Sequence, residues 1–191
     1  DHVILGAKDD AGVVSLSVDD NGNRYGLVVS HESHNHPSQI VPYEGAATGV
    51  GGNVRDVCCM GAEVMSLGDS LRFGDIDRNK TKWITDGVVS GIAGYGNPLG
   101  IPNICGDLYF DKEYNENCLV TVLTAGVVKE KNVIRSKAPT NSVNYDLILV
   151  GKPTDNSGFG GASFASLELE EEKEQQNLSL IHISEPTRLE R

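Results

Sequence analysis

Apolar and polar residues alternate along residues 12–18 (GVVSLSV) and again along 25–30 (YGLVVS), the period-two pattern of half-buried strands. Asp20-Asn21-Gly22-Asn23 lies between them, and Asn-Gly between two such runs signals a hairpin. The second strand feeds directly into SHESHNHPSQIVP. Pro37 and Pro42 interrupt the pattern there, so residues 31–43 are expected to form a loop at a strand end. From Glu44 to Met60 the period changes. Ala46, Ala47, Val50, Val54, Val57 and Cys58 recur at spacings of three and four, which predicts a helix with one buried face.

Four glycines sit inside that helix, at 45, 49, 51 and 52. In an exposed helix each would cost about 1 kcal/mol relative to alanine, so close approach by a ligand, another backbone or the sheet is the expected reason for them. Further on, AEVMSLGDSLRF (62–73) reads as a strand and TKWITDGVVSGIAG (81–94) as a helix carrying Trp83, Ile84, Val88 and Ile92. GIPNICGDLYF (100–110), LVTVLTAGVV (119–128) and NYDLILVGK (144–152) read as three more strands. Strands and helices alternate after an initial hairpin, which places the chain in the α/β (α+β) class.

Composition narrows the function classes. At 191 residues with 39% hydrophobic content, the chain suits a soluble globular fold or a large piece of one. No apolar run is long enough to span a bilayer, and DHVILGAKDD has no signal-peptide pattern, so neither membrane nor secretion is expected and the cytoplasm is the default. The formal net charge of −11 argues against a nucleic-acid partner. Cys58, Cys59, Cys105 and Cys118 show no CxxC spacing and are expected to be reduced core residues.

Candidate chemistry concentrates in residues 30–56, where His31, His34 and His36 stand close to Glu32, the glycines, Arg55 and Asp56. A polar loop satisfying its own backbone is one reading. A zinc site is another, but His34 and His36 are not joined by an HExxH helix or a cysteine pair. An HNH-type nuclease rests on three letters alone and conflicts with the charge. The reading that uses every piece is a nucleotide site. Glu32 and Asp56 are hard oxygen ligands suited to Mg²⁺, Arg55 can fork onto a phosphate, the small residues admit phosphoryl oxygens, and one histidine can act as general base. No Walker or dinucleotide-type glycine motif accompanies it.

ESHNHPSQIVPYEGAATGVGGNVRDVCCMGA (32–62), followed in order by SLRFGD, GNPLGIPNICGDLYFD and GGASFAS, resembles the phosphoribosylformylglycinamidine synthase family, the glutamine-dependent amidotransferases of purine biosynthesis. The resemblance runs from about residue 3 to residue 172. It implies an aminoimidazole ribonucleotide synthetase-like N-terminal domain, a mixed β-sheet with helices on one face. It also implies an ATP-dependent ligase, in which the amide oxygen of formylglycinamide ribonucleotide is phosphorylated and ammonia then displaces phosphate. By position, His34 matches the proton acceptor, Ser33, His34, Asn35 and His36 match the substrate-binding segment, and Arg55 matches a substrate contact. Glu32 and Asp56 match magnesium ligands. ATP and Mg²⁺ are the implied cofactors. The implied partners are the substrate and a glutaminase subunit or domain, joined in the small multi-subunit form by an accessory subunit.

The chain departs from the family pattern at Ser30, where many members carry a lysine that contacts ATP. An upstream segment with another catalytic histidine and downstream domains with further ligands are expected to lie outside this chain, leaving it inactive alone. Residues 1–167 are thus expected to form the first synthetase-type domain, and the acidic run 168–177 a surface segment or linker. LSLIHISEPTR (178–188) resembles a translated sequencing adapter, so 178–191 is expected to be a non-native scar. Two other readings keep the fold: a non-catalytic dimerisation or binding module, and a related ATP-using synthetase of the aminoimidazole ribonucleotide or selenophosphate type. The SHNHP segment argues against the latter.

Overall fold

Asp19 closes the first hairpin. Its Oδ1 accepts the N–H groups of Asn21 at 3.0 Å and Asn23 at 2.8 Å, while Gly22 takes a left-handed φ of 78°. The turn joins β2 (Gly12–Val18) to β3 (Arg24–Ser33), which pair antiparallel with Val18 opposite Arg24. A short β1 (Val3–Leu5) borders β2. The chain is described by a computed structural model over residues 2–6, 8–148 and 150–151.

Beyond β3 the structure departs from the expected loop over 31–43. β3 continues to Ser33, and residues Asn35–Ile40 form a helix, α1. The two prolines explain both the misreading and the fold. Pro37 falls in the first turn of α1, where N–H groups lack helical partners anyway, and Pro42 opens α2 (Pro42–Cys59). Here proline starts helices instead of breaking them. The other strands and α-helix among the described residues are β4 (Glu63–Phe73), α3 (Asn79–Leu99), β5 (Asn103–Phe110) and β6 (Leu119–Lys129), with single 3-10 turns at Lys112–Tyr114 and Glu130–Asn132.

Among the described residues six strands form one mixed sheet in the order β1-β2-β3-β6-β4-β5, antiparallel throughout except for the parallel β4–β5 pair that α3 connects. The three helices touch one another and so share one face of the sheet, with α2 lying against β3, β6 and β4. Val50, Val54 and Val57 of α2 are buried with Val28, Val120, Val122, Leu67 and Leu71 of the strands. Each fully buried valine contributes about 1.5–3 kcal/mol relative to exposure. α3 buries Ile84, Val88 and Ile92, but Trp83 points to solvent.

Residues 144–148, 150 and 151 form no strand, contrary to expectation. Tyr145, Leu147, Ile148 and Val150 are exposed, because an apolar run becomes a strand only where a partner edge receives its hydrogen bonds. The expected boundaries at 167/168 and 177/178, the acidic run and the adapter-like tail lie outside the described residues. Among the described residues no helix is long and apolar enough to cross a membrane.

Close approach accounts for most of the helix glycines. A Cβ on Gly45 would lie 2.5–2.7 Å from the backbone of Pro37 and Ser38, and one on Gly51 would lie 2.7 Å from the Tyr95 ring. Where α2 crosses α3, a Cβ on Gly91 would collide with the Tyr43 carbonyl. Gly52 differs, with nothing within 4 Å of its Cβ position. Gly45→Ala should therefore lower stability by about 1–3 kcal/mol. Gly52→Ala should raise it by about 0.4–1 kcal/mol. Urea midpoints of the two variants check the contrast.

The cysteines also depart from expectation. Only Cys118 is buried; Cys58 and Cys59 end α2 on its solvent side and Cys105 sits on the edge strand β5. Burial pushes the Cys118 thiol up to about 12. In the unfolded chain this thiol ionises near its usual 9, so the folded state binds the proton more tightly and loses that advantage as pH rises from 9 towards 12. In a thiol-reagent titration of the native protein, Cys118 should react only on unfolding. Cys118→Val should flatten the loss of stability between about pH 9 and pH 11.

Candidate functional site

The site is built where β3 leaves the sheet. The His34 N–H donates to the Val120 carbonyl at 2.8 Å, and the Val120 N–H donates to Asn35 Oδ1 at 2.9 Å. Gln39, buried at the other end of α1, accepts the Cys118 N–H at 2.9 Å and donates to the Asn115 carbonyl at 3.3 Å. Ser38 Oγ donates back to the His34 carbonyl at 2.6 Å. These bonds fasten α1 to the segment entering β6, so the direction of the SHNH segment is set by the sheet. Asn35 spends its carboxamide oxygen on that fastening.

His34 lies against α2. Its Nδ1 is 2.6 Å from the Gly45 carbonyl, which can only accept, so Nδ1 carries the hydrogen and Nε2 keeps its lone pair. Burial pushes the His34 pKa below its usual value, and the Gly45 bond pulls partly the other way. The ring is neutral at pH 7 and Nε2 is a proton acceptor. A Cβ on Gly49 would lie 2.9 Å from the His34 Cβ, so this packing needs glycine there.

One face of α2 links His34 to the carboxylate end of the site. Gly45, Gly49, Gly52 and Asp56 are spaced four, three and four apart and share that face. At its far end Ser30 Oγ donates to Asp56 Oδ2 at 3.1 Å. Asn53 Nδ2 donates to Ser30 Oγ at 3.3 Å and to the Val122 carbonyl at 3.2 Å. Burial pushes the Asp56 carboxyl up, against the Ser30 hydrogen bond and the Arg55 charge, which lower it, while Asp10 adds to the rise.

Of the residues singled out from sequence, the structure joins Asp56 to β3 through Ser30, and Glu32 follows two residues on along the same strand face. Glu32, Ser33 and Arg55 are exposed, and His36 is half-buried on α1. Among the described residues no three His, Cys, Asp or Glu side chains converge to hold a metal ion. Two carboxylates suit Mg²⁺ only if waters and ligand phosphates complete its shell, which is its usual habit. Sequence reasoning missed Asn53 and Gln39. Asn53 was signalled by its spacing of three from Asp56, which puts the two on neighbouring positions of one helix face. Gln39 had no signal short of the fold.

Residues 8–128 match the family described as AIR synthase related protein, N-terminal domain. Subunit PurL of phosphoribosylformylglycinamidine synthase from Methanothrix thermoacetophila is 52% identical over 190 residues, covering 97% of this chain and 24% of that protein. Among solved structures, T. maritima PurL complexed with FGAR is 45% identical with a TM-score of 0.58, covering 70% of this chain and 20% of that one. T. maritima PurL complexed with ATP is also 45% identical, with a TM-score of 0.55 over 65% of this chain and 20% of that one. The chain thus spans 24% of the length of this curated relative.

The geometry separates residues that hold the segment to the sheet from exposed residues that do not. Asn35→Ala leaves the Val120 N–H without its partner and should cost about 1–3 kcal/mol. Glu32→Ala and Arg55→Ala, both at exposed positions, should stay within about 0.5 kcal/mol of the parent chain. Denaturant midpoints of the three variants distinguish the two groups.

Proposed function

We propose, because the chain belongs to the AIR synthase related protein family, that it forms the first synthetase-type module of a phosphoribosylformylglycinamidine synthase. That ligase converts formylglycinamide ribonucleotide, ATP and glutamine-derived ammonia to formylglycinamidine ribonucleotide, ADP and phosphate. The observation that carries the reading is the arrangement along α2: a neutral His34 with Nε2 unprotonated at one end, Asp56 at the other, and an open Gly52 between them. The identity of 52% to a PurL subunit supports the choice of reaction.

In this reading the amide oxygen of the substrate attacks the γ-phosphorus of ATP. An O–P bond forms, the bond to ADP breaks, and the proton on the amide nitrogen passes to His34 Nε2. Ammonia then adds to the activated carbon, the C–O bond breaks and phosphate leaves. Arg55 meets a substrate phosphate with its exposed guanidinium. Ser33 and His36 contact the substrate, and Asn35 serves the same segment by holding it to β6. Glu32 and Asp56 hold Mg²⁺, which supplies neutralising charge to the phosphoryl oxygens. Such a cation suits a chain of net charge −11 that must accept polyanions. A glutaminase subunit or domain delivers the ammonia, and the reaction takes place in the cytoplasm.

The test is a full-length synthase carrying residues 3–172 of this chain in place of its own. With ammonia supplied, His34→Ala should lower turnover by a factor of about 10² to 10⁴ while the melting temperature holds. Asp56→Asn should raise the Mg²⁺ concentration needed for half-maximal rate. Undiminished turnover in His34→Ala would remove His34 from the chemistry, and an unchanged Mg²⁺ dependence would remove Asp56 from the metal site.

A further inference from the structure

The polar cluster beneath α2 contains more than ligand binding asks of it. Asn53 is 0% exposed, Thr124 is 0% exposed and Ser30 is 5% exposed, so three uncharged polar side chains lie in the interior between α2 and the sheet. Ser30 and Thr124 are cross-strand partners on β3 and β6. Among the described residues Asn53 Oδ1 and Thr124 Oγ1 have no hydrogen-bond partner. A buried polar atom left unpaired is costly, and a leucine at position 53 would carry no such penalty. The carboxamide therefore needs a reason to be there.

Its bonds supply one. The Val122 carbonyl fixes the Asn53 amide by accepting from Nδ2, and Nδ2 also donates to Ser30 Oγ. A serine hydroxyl has one proton. Because Ser30 Oγ already receives a hydrogen from Asn53, its own proton is directed to Asp56 Oδ2. The chain of contacts runs from the sheet backbone through Asn53 and Ser30 to one oxygen of Asp56, and leaves Oδ1 as the other.

We propose that Ser30 and Asn53 are positioning residues that hold the Asp56 carboxylate in a single orientation, with Oδ2 committed to the protein and Oδ1 presented to a divalent cation. The inference rests on the reading of Asp56 as a metal ligand and adds how that ligand is aimed. Partners that hold a ligating carboxylate commonly set its affinity for metal, and neither Ser30 nor Asn53 needs to touch the ion.

Two measurements on the 191-residue chain test the inference separately from the metal reading. Three-bond couplings report χ1 of Asp56 without any metal. The parent chain and Ser30→Thr should show one rotamer, and Ser30→Ala and Asn53→Leu should show averaged values. A single retained rotamer in Ser30→Ala would overturn the proposal, and that variant decides the matter if Asn53→Leu does not fold. Paramagnetic broadening of α2 amides by Mn²⁺ then reads the metal. Ser30→Ala should weaken apparent Mn²⁺ binding about tenfold, with recovery in Ser30→Thr. Loss of broadening in Asp56→Asn together with parent-like affinity in Ser30→Ala would overturn the positioning role alone. Unchanged broadening in Asp56→Asn would overturn the metal reading, while the couplings would still decide whether Ser30 holds the carboxylate.

Discussion

The pair of hydrogen bonds at Val120 sets the point at which the chain stops being sheet and becomes helix. The Val120 carbonyl takes the His34 N–H and its own N–H goes to Asn35 Oδ1, so the last turn of the ladder is made by a side chain in place of a backbone. Everything at the site is measured from that exchange. Moving the exit by one residue would swap the faces of Ser30, Glu32 and His34 together, because successive strand residues point to opposite sides. Gln39 repeats the arrangement one turn later by binding the backbone of Cys118 and Asn115. A six-residue helix has little stability of its own, and these side-chain bonds to β6 and its approach are what hold it.

The acidic balance of the chain acts on the same region. Arg24, Arg72 and Arg78 are engaged by Glu130, Asp107 and Glu116 in ion pairs of 2.8–3.1 Å. Among the described residues those pairs do not include Arg55, which stands exposed one residue before Asp56. An anion approaching this end of α2 would therefore meet the Arg55 guanidinium among several carboxylates, Glu32, Asp56 and Asp10 included, and a cation would be needed to offset them. Surface pairs of the other three arginines contribute little to stability, but they remove positive charge from competing faces.

Periodicity carried most of the fold. The helix expected over 44–60 is α2 at 42–59, and the strand expected over 119–128 is β6 almost to the residue. Each is a long element with one buried face, and burial imposes a period that the sequence must display. The errors arose where one residue type serves opposite purposes. Pro37 and Pro42 interrupt a strand pattern and also fit the first turn of a helix, and only the tertiary bonds of Asn35 and Gln39 decide between the two. The apolar run at 144–152 has the composition of a strand, but pairing needs an edge that no local pattern reveals. At the site, the spacing of Glu32, His34, Arg55 and Asp56 was visible in the letters. The tautomer of His34 and the support of Asp56 were not, because both depend on backbone groups brought in by folding.

Gly45 and Gly52 look alike in the sequence and differ entirely in space, and the difference extends to the crossing of α2 and α3. There Gly87 and Gly91 pack against Pro42 and the Tyr43 backbone with no room for a Cβ, while Gly94 faces only the movable tip of the Tyr43 side chain. Glycine is the one amino acid without that atom, so every missense change in a glycine codon, at whichever base, introduces the same obstruction. At Gly87 and Gly91 the obstruction is the same whatever the incoming side chain. The codons for Gly87 and Gly91 can drift only at the silent third base, while on α2 the codon for Gly52 is open to change as far as folding is concerned. Variation among natural sequences at Gly52 is then unconstrained by packing, and variation at Gly91 a record of selection by the fold.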